Sequence, residues 1–258
     1  MKLTVVGCAG SYPSPTSAAS CYLLAGDDAV IVLDMGNGSL GALLAHSHPT
    51  ALDAVFISHM HADHCVDLTA LYVLLKHGPH RRSTPLPVFG PAGLHQRIAA
   101  AYNGDARTDL SDVFEFKVLA AQRAVALGAN THVTPVVVDH PGESYGFRVE
   151  MGNKVLAYSG DSAECEALVA LARDADIALF EASFVEPADN QPPLPTGLHM
   201  SAGMAAHIAQ RAHAKSLLLT HTVQWNEFEG GHDRELAEAV ARFAGPVALA
   251  VPGMVVTA

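Results

Sequence analysis

The feature that most constrains this chain is Ile57-Ser58-His59-Met60-His61-Ala62-Asp63-His64, which places four potential metal ligands within six residues, directly after an apolar run. Four such groups crowded at a strand end repel one another or stay unpaired unless a cation gathers them. Imidazole and carboxylate suit zinc, manganese or iron, and no thiolate belongs to the set. Alternating side chains diverge, so one ion cannot easily take all four. His59 and His61 can face one ion while Asp63 and His64 face a neighbour.

Each ion then needs further ligands, and the chain offers them where other apolar runs end. His140 follows residues 133–138, Asp161 follows 155–158 in a Ser-Gly-Asp-Ser turn, and His221 follows 217–219. In α/β proteins function gathers at C-terminal strand ends. The set closes with His59, His61 and His140 on one ion, Asp63, His64 and His221 on the other, and Asp161 bridging. Cys65 adjoins His64 but is read as packing rather than ligating.

The runs themselves are short, continuously apolar and bounded by Gly, Pro or Asp, at 3–6, 21–24, 29–33, 54–57, 86–89 and 114–118, then 133–138, 145–149, 154–158, 177–180, 217–219 and 247–251. Such runs fit strands buried on both faces. Three- and four-residue apolar spacing at 68–76, 93–101, 163–172, 201–212 and 234–243 predicts helices. Sheets with helices packed outside them make an α/β protein. Irregular stretches at 7–20 and 186–199 have the length of functional loops.

Composition excludes several classes. Twenty-six Asp and Glu against fifteen Lys and Arg give a formal charge of −11. A broad nucleic-acid surface runs on phosphate neutralisation, so this balance argues against nucleic acid as a partner. No run of about 18 apolar residues exists to span a membrane. Residues 3–6 are too short for the core of a secretory signal and read as a strand. The cysteines at 8, 21, 65 and 165 form no close pair, and read as small buried hydrophobes in a reducing cytoplasm.

The HxHxDH run, followed in order by the later His, Asp and His, resembles the metallo-β-lactamase superfamily. The resemblance extends from Val5-Val6-Gly7 through Leu33-Asp34-Met35-Gly36 to Leu219-Thr220-His221. It implies one hydrolase domain over residues 1–258, folded as a four-layer αββα sandwich with two metals at one edge of the sheets. His140 followed by Ser144-Tyr145-Gly146-Phe147-Arg148, then Tyr158-Ser159-Gly160-Asp161-Ser162, Glu181-Ala182-Ser183-Phe184 and His199-Met200-Ser201, is similar to the ribonuclease Z-like phosphodiesterase branch. Within that branch residues 61–68 look most like actinobacterial cyclic-nucleotide phosphodiesterase-like proteins. Ribonuclease Z clamps tRNA with a long arm, for which residues 141–160 leave no room.

The resemblance implies a binuclear hydrolase, zinc foremost, whose metal-bridging hydroxide opens a small phosphodiester such as a 3′,5′-cyclic nucleotide, and it suggests a homodimer. Ester, thioester or lactone hydrolysis and a ribonuclease Z-like endonuclease are the enzymatic alternatives, and a non-catalytic metal-binding module is the alternative outside catalysis. His199 is the candidate proton donor, with Glu181 to orient and charge it, and Asp63 joins them as a catalytic ligand. His199 otherwise reads as a neighbour of Ser201, which can cap the next helix. Asp34 either braces the ligand loop or only forms a turn. Asp67 stays open between supporting the site and an acid at a helix start, and Ser11 and Ser162 between contacting the phosphate and local structure.

Overall fold

The computed structural model describes residues 1–187, 192–227 and 230–258. One sheet runs in the order Thr222–Val223, Lys2–Gly10, Cys21–Ala25, Val30–Leu33, Ala54–Phe56, Leu86–Gly90 and Phe114–Val118, with Ala18–Ala19 and Val255–Thr257 also paired to Lys2–Gly10. The other runs Val247–Leu249, Leu217–Thr220, Ile177–Glu181, Lys154–Tyr158, Tyr145–Met151, Thr131–Val137 and Val125–Ala126.

Side-chain alternation explains why both faces of these strands are apolar. Leu24, Ile31, Leu33 and Phe56 point inward and share one core with Phe147, Val149, Leu156 and Leu179 of the facing sheet. Their neighbours Leu23, Val32 and Val55 point outward, against helices Leu68–His77 and Leu94–Asn103. On the second sheet Ala178, Phe180, Leu217 and Leu219 pack under helices Glu166–Leu171, Ala202–Arg211 and Gly231–Val240. Helix, sheet, sheet, helix is the αββα sandwich.

Strand direction then fixes where the chemistry lies. Val30–Leu33, Ala54–Phe56 and Leu86–Gly90 are parallel, as are Lys154–Tyr158, Ile177–Glu181 and Leu217–Thr220. Thr131–Val137 reaches the same direction through two antiparallel steps. Their C-terminal ends therefore collect at one edge of the sandwich.

The run at 3–6 proves to be part of a nine-residue strand, Lys2–Gly10, whose pairing shifts register between Val5 and Gly7. The helix expected over 163–172 shortens to Glu166–Leu171, because Ser162 and Ala163 are tied into the site edge by bonds to Glu181 and Asp139. Of the irregular stretch 186–199, residues 188–191 lie outside the described residues. Cys8, Cys21 and Cys65 are buried, whereas Cys165 is only half-buried at a helix start. Among the described residues no helix is long and apolar enough to cross a membrane.

Candidate metal centre

The ligand run turns off the end of Ala54–Phe56, and Gly36 makes that turn possible. A Cβ at Gly36 would strike the backbone oxygen of Asp63, and the neighbouring Met35 N–H donates to the His64 carbonyl at 2.7 Å. Ala62–Cys65 then forms a single helical turn, which sends Asp63 and His64 in a different direction from His59 and His61.

One ligand atom each from His59, His61, His140 and Asp161 lies within 4.8 Å of the others, and the same holds for Asp63, His64, Asp161 and His221. Asp161 belongs to both groups. Its Oδ2 is 3.6 Å from His59 Nε2, while its Oδ1 is 3.2 and 3.4 Å from the Nε2 atoms of His64 and His221. His61 Nδ1 sits 2.9 Å from His59 Nε2 and 3.3 Å from His140 Nε2. His221 Nε2 is 3.2 Å from both His64 Nε2 and Asp63 Oδ2. All seven candidate ligands meet here, three and three about Asp161.

Hydrogen-bond partners on the far side of each ring decide what faces inward. His64 Nδ1 lies 2.8 Å from Asp34 Oδ2 and His140 Nδ1 2.7 Å from the Leu198 carbonyl, so both Nδ1 atoms donate. Ser183 donates to Glu181 Oε2 at 2.6 Å and accepts from His221 Nδ1 at 2.8 Å. Ser58 donates to Asp34 Oδ2 at 2.8 Å and accepts from His59 Nδ1 at 3.1 Å. In each neutral ring the lone pair is left on Nε2, aimed into the cluster. Asp161 Oδ1, also buried there, accepts no hydrogen bond. Facing lone pairs repel, and a buried acceptor without a partner is costly. This donor set fits a pair of divalent cations.

Burial opposes a charge on His64, but Asp161 and Asp34 outweigh it and raise its pKa well above the ordinary imidazole value. His59 goes the other way, pushed well down by burial and by the neighbouring His64. Burial likewise works against an ionised Asp161, yet the surrounding imidazoles of His221, His64 and His59 hold its carboxyl well below the usual range.

Asp34 is fully buried and accepts four bonds, from Ser58 N at 2.7 Å, Ser58 Oγ at 2.8 Å, His64 Nδ1 at 2.8 Å and Tyr158 OH at 2.6 Å. Its φ of 59° is in the left-handed region, which Asn also tolerates. Asp34→Asn therefore keeps the turn while removing the charge that orients His64. Metal affinity is expected to fall about 10- to 100-fold, measured by competition with a chromophoric chelator. An unchanged affinity would mean that Asp34 only shapes the turn.

His199 Nδ1 lies 3.0 and 3.2 Å from the two oxygens of Glu181. Its ring is 5.2 Å from His140 and 5.7 Å from His221. Ser201 also caps the helix Ala202–Arg211, accepting from Met204 N at 3.1 Å, so the cap sets the direction from which His199 enters. Glu181 is fully buried and takes a further bond from Ser162 N at 2.6 Å. Burial disfavours an imidazolium at His199, but the Glu181 hydrogen bond and charge, helped by Asp161, raise its pKa above the ordinary value.

Other candidates serve the frame. Ser162 is fully buried, donates to the Ala163 carbonyl at 2.7 Å and accepts from Asp139 N at 3.2 Å. Asp67 accepts from Leu40 N at 2.9 Å and ties two helix starts together. Cys65 donates to the His61 carbonyl at 3.2 Å. Arg148 donates to the Leu171 and Arg173 carbonyls, so the segment 144–148 brings no cation to the site. Ser11 is exposed in its loop, at a φ of 63°. Ser58, Ser183, Tyr158 and the Leu198 carbonyl are the supporting groups that sequence reasoning did not single out. Their only signal is position, since each lies within three residues of a candidate ligand or acid.

Residues 30–222 match the family model of the beta-lactamase superfamily domain. The chain belongs to the metallo-β-lactamase superfamily, and its His/Asp cluster is that of a metal-dependent hydrolase. Its relatives lie toward the ribonuclease Z and PhnP side of that superfamily. It is 41% identical over 252 residues to the uncharacterised Mycobacterium tuberculosis protein Rv1339, covering 96% of this chain and 88% of that one. To YhfI of Bacillus subtilis, a probable metallo-hydrolase, it is 30% identical over 259 residues, covering 99% of each. The YhfI crystal structure has a TM-score of 0.85 at 26% identity, covering 99% of this chain and 98% of that one. Human short-form tRNase Z (TM-score 0.74, 24% identity, 100% and 99% covered) and a diphosphatase of the PhnP family (0.75, 19%, 100% and 97%) share the fold.

Proposed function

We propose that this protein is a binuclear phosphodiesterase acting on a small phosphodiester such as a 3′,5′-cyclic nucleotide. The observation that carries the reading is Asp161, whose two oxygens face two separate groups of ligands, all buried except His61. His59, His61 and His140 take one divalent cation, Asp63, His64 and His221 the other, with Asp161 shared. Zinc suits these ligands best, and manganese or iron is accepted by the same set. Bound there, the pair supplies charge to the phosphoryl oxygens and a water acidic enough to attack at neutral pH.

The chain's own residues do the rest. Hydrolysis forms one P–O bond to water and breaks the P–O bond to the departing alkoxide, which must collect a proton. His199 has Nδ1 bonded to Glu181, which leaves Nε2 to deliver that proton. Glu181 keeps the ring oriented and charged. The connector between Tyr145–Met151 and Lys154–Tyr158 is two residues long, so no arm for a folded RNA extends there. That and the charge of −11 support a small substrate. Cys8, Cys21 and Cys65 are buried like small hydrophobes, which supports the reading of a cytoplasmic enzyme.

The test is hydrolysis by metal-reconstituted protein of cyclic AMP, bis-p-nitrophenyl phosphate, a lactone and a precursor tRNA. Turnover of the first two is expected. Lactone hydrolysis without cyclic AMP turnover would make the enzyme an acyl hydrolase, and tRNA cleavage with steep salt dependence would make it an endonuclease.

A further inference from the structure

Trp225 is the only tryptophan of the chain and is 55% exposed. Tyr12, 38% exposed, packs against it, with ring centroids 5.7 Å apart and planes 37° from parallel. Scattered exposed apolar residues need no explanation, but two aromatic rings held together in water beside a reactive edge do.

Topology puts them at that edge. Lys2–Gly10 is antiparallel to Cys21–Ala25, which is antiparallel to Val30–Leu33, so Gly10 ends where Asp34 and the ligand run begin. Thr222–Val223 pairs parallel to it, with Gly10 opposite Val223. Tyr12 and Trp225 each stand two residues beyond that pair. Gly10 packs directly on the site, since a Cβ there would lie 2.9 Å from His221 Nδ1. Trp225 is four residues from His221, at most about 15 Å along an extended chain, which a nucleotide can bridge.

We propose that Trp225, braced by Tyr12, is the stacking platform for the planar base of the substrate, and so a specificity-determining residue; this rests on the phosphodiesterase reading above. The rings are too close to admit a third between them, because stacked centroids need about 4.5 Å on each side. The base therefore lies on one outer face. Every base has a π-face, so the platform favours nucleotides over base-free diesters without choosing among bases.

The metal-loaded full chain tests this through its single tryptophan. AMP is expected to quench the emission of Trp225, and ribose 5-phosphate to leave it unchanged. Trp225→Ala is expected to raise KM for cyclic AMP about tenfold with kcat within about threefold, lowering the preference over a base-free cyclic ribose phosphate by the same factor. Trp225→Phe, which keeps a stacking face, should recover most of the loss. Emission untouched by AMP, or a Trp225→Ala enzyme with unaltered KM, overturns the platform and leaves the phosphodiesterase reading standing. Failure of that reading shows separately, as wild-type protein that turns over no cyclic nucleotide, and AMP quenching still decides the platform.

Discussion

Asp161→Ala is expected to lower metal-dependent kcat/KM by at least about a thousandfold, a loss of roughly 4 kcal/mol of transition-state stabilisation, and to leave fewer than two metal ions per chain. The reason is its double membership. Remove another ligand, such as His140, and one group loses one donor. Remove Asp161 and both groups lose a donor at once, the first its only carboxylate, while His64 and His221 keep Nε2 atoms 3.2 Å apart. Asp161→Asn sharpens the result. It preserves the volume but offers one oxygen instead of two, so it should retain one ion more readily than two. Elemental analysis of the purified variants, beside turnover of bis-p-nitrophenyl phosphate, reads both quantities. An Asp161→Ala protein that still carries two ions would end the bridging assignment.

How much of this was legible in the sequence depends on the range of the forces involved. The seven candidate ligands are recognisable because each follows an apolar run, and parallel strands bring the ends of such runs to one edge. The layers are legible for the same reason, since Leu23 and Leu24 or Val32 and Leu33 can only be buried together in a strand covered on both faces. What supports the ligands is not legible in that way. Ser183 relays between Glu181 and His221, Tyr158 reaches Asp34 from the other sheet, and Leu198 contributes only a carbonyl. No periodicity encodes a hydrogen bond between residues 124 positions apart in the chain. Nor does the sequence show where Arg148 goes, which the strand turns away from the cluster toward the Leu171 and Arg173 carbonyls.

His199→Ala should divide substrates by their leaving groups. With cyclic AMP, whose departing ribose alkoxide is strongly basic, kcat is expected to fall about 10²- to 10³-fold. With bis-p-nitrophenyl phosphate, whose phenolate leaves without help, the loss should be far smaller, and metal content should stay at the wild-type level. A merely structural His199 would slow both substrates alike. The pH profile adds an independent reading. A general acid works protonated, so its contribution is lost as pH rises through its pKa. Burial alone would bring that limb to low pH; the Glu181 carboxylate more than reverses this and carries it above the ordinary imidazole range. Glu181→Gln removes the charge but keeps a bonding partner, so the alkaline limb for cyclic AMP should move to lower pH, leaving the variant close to wild type in acid and slowest above neutrality. If the limb stays in place, the proton comes from some other group, and the bond at 3.0 Å between His199 and Glu181 only holds the helix start in position.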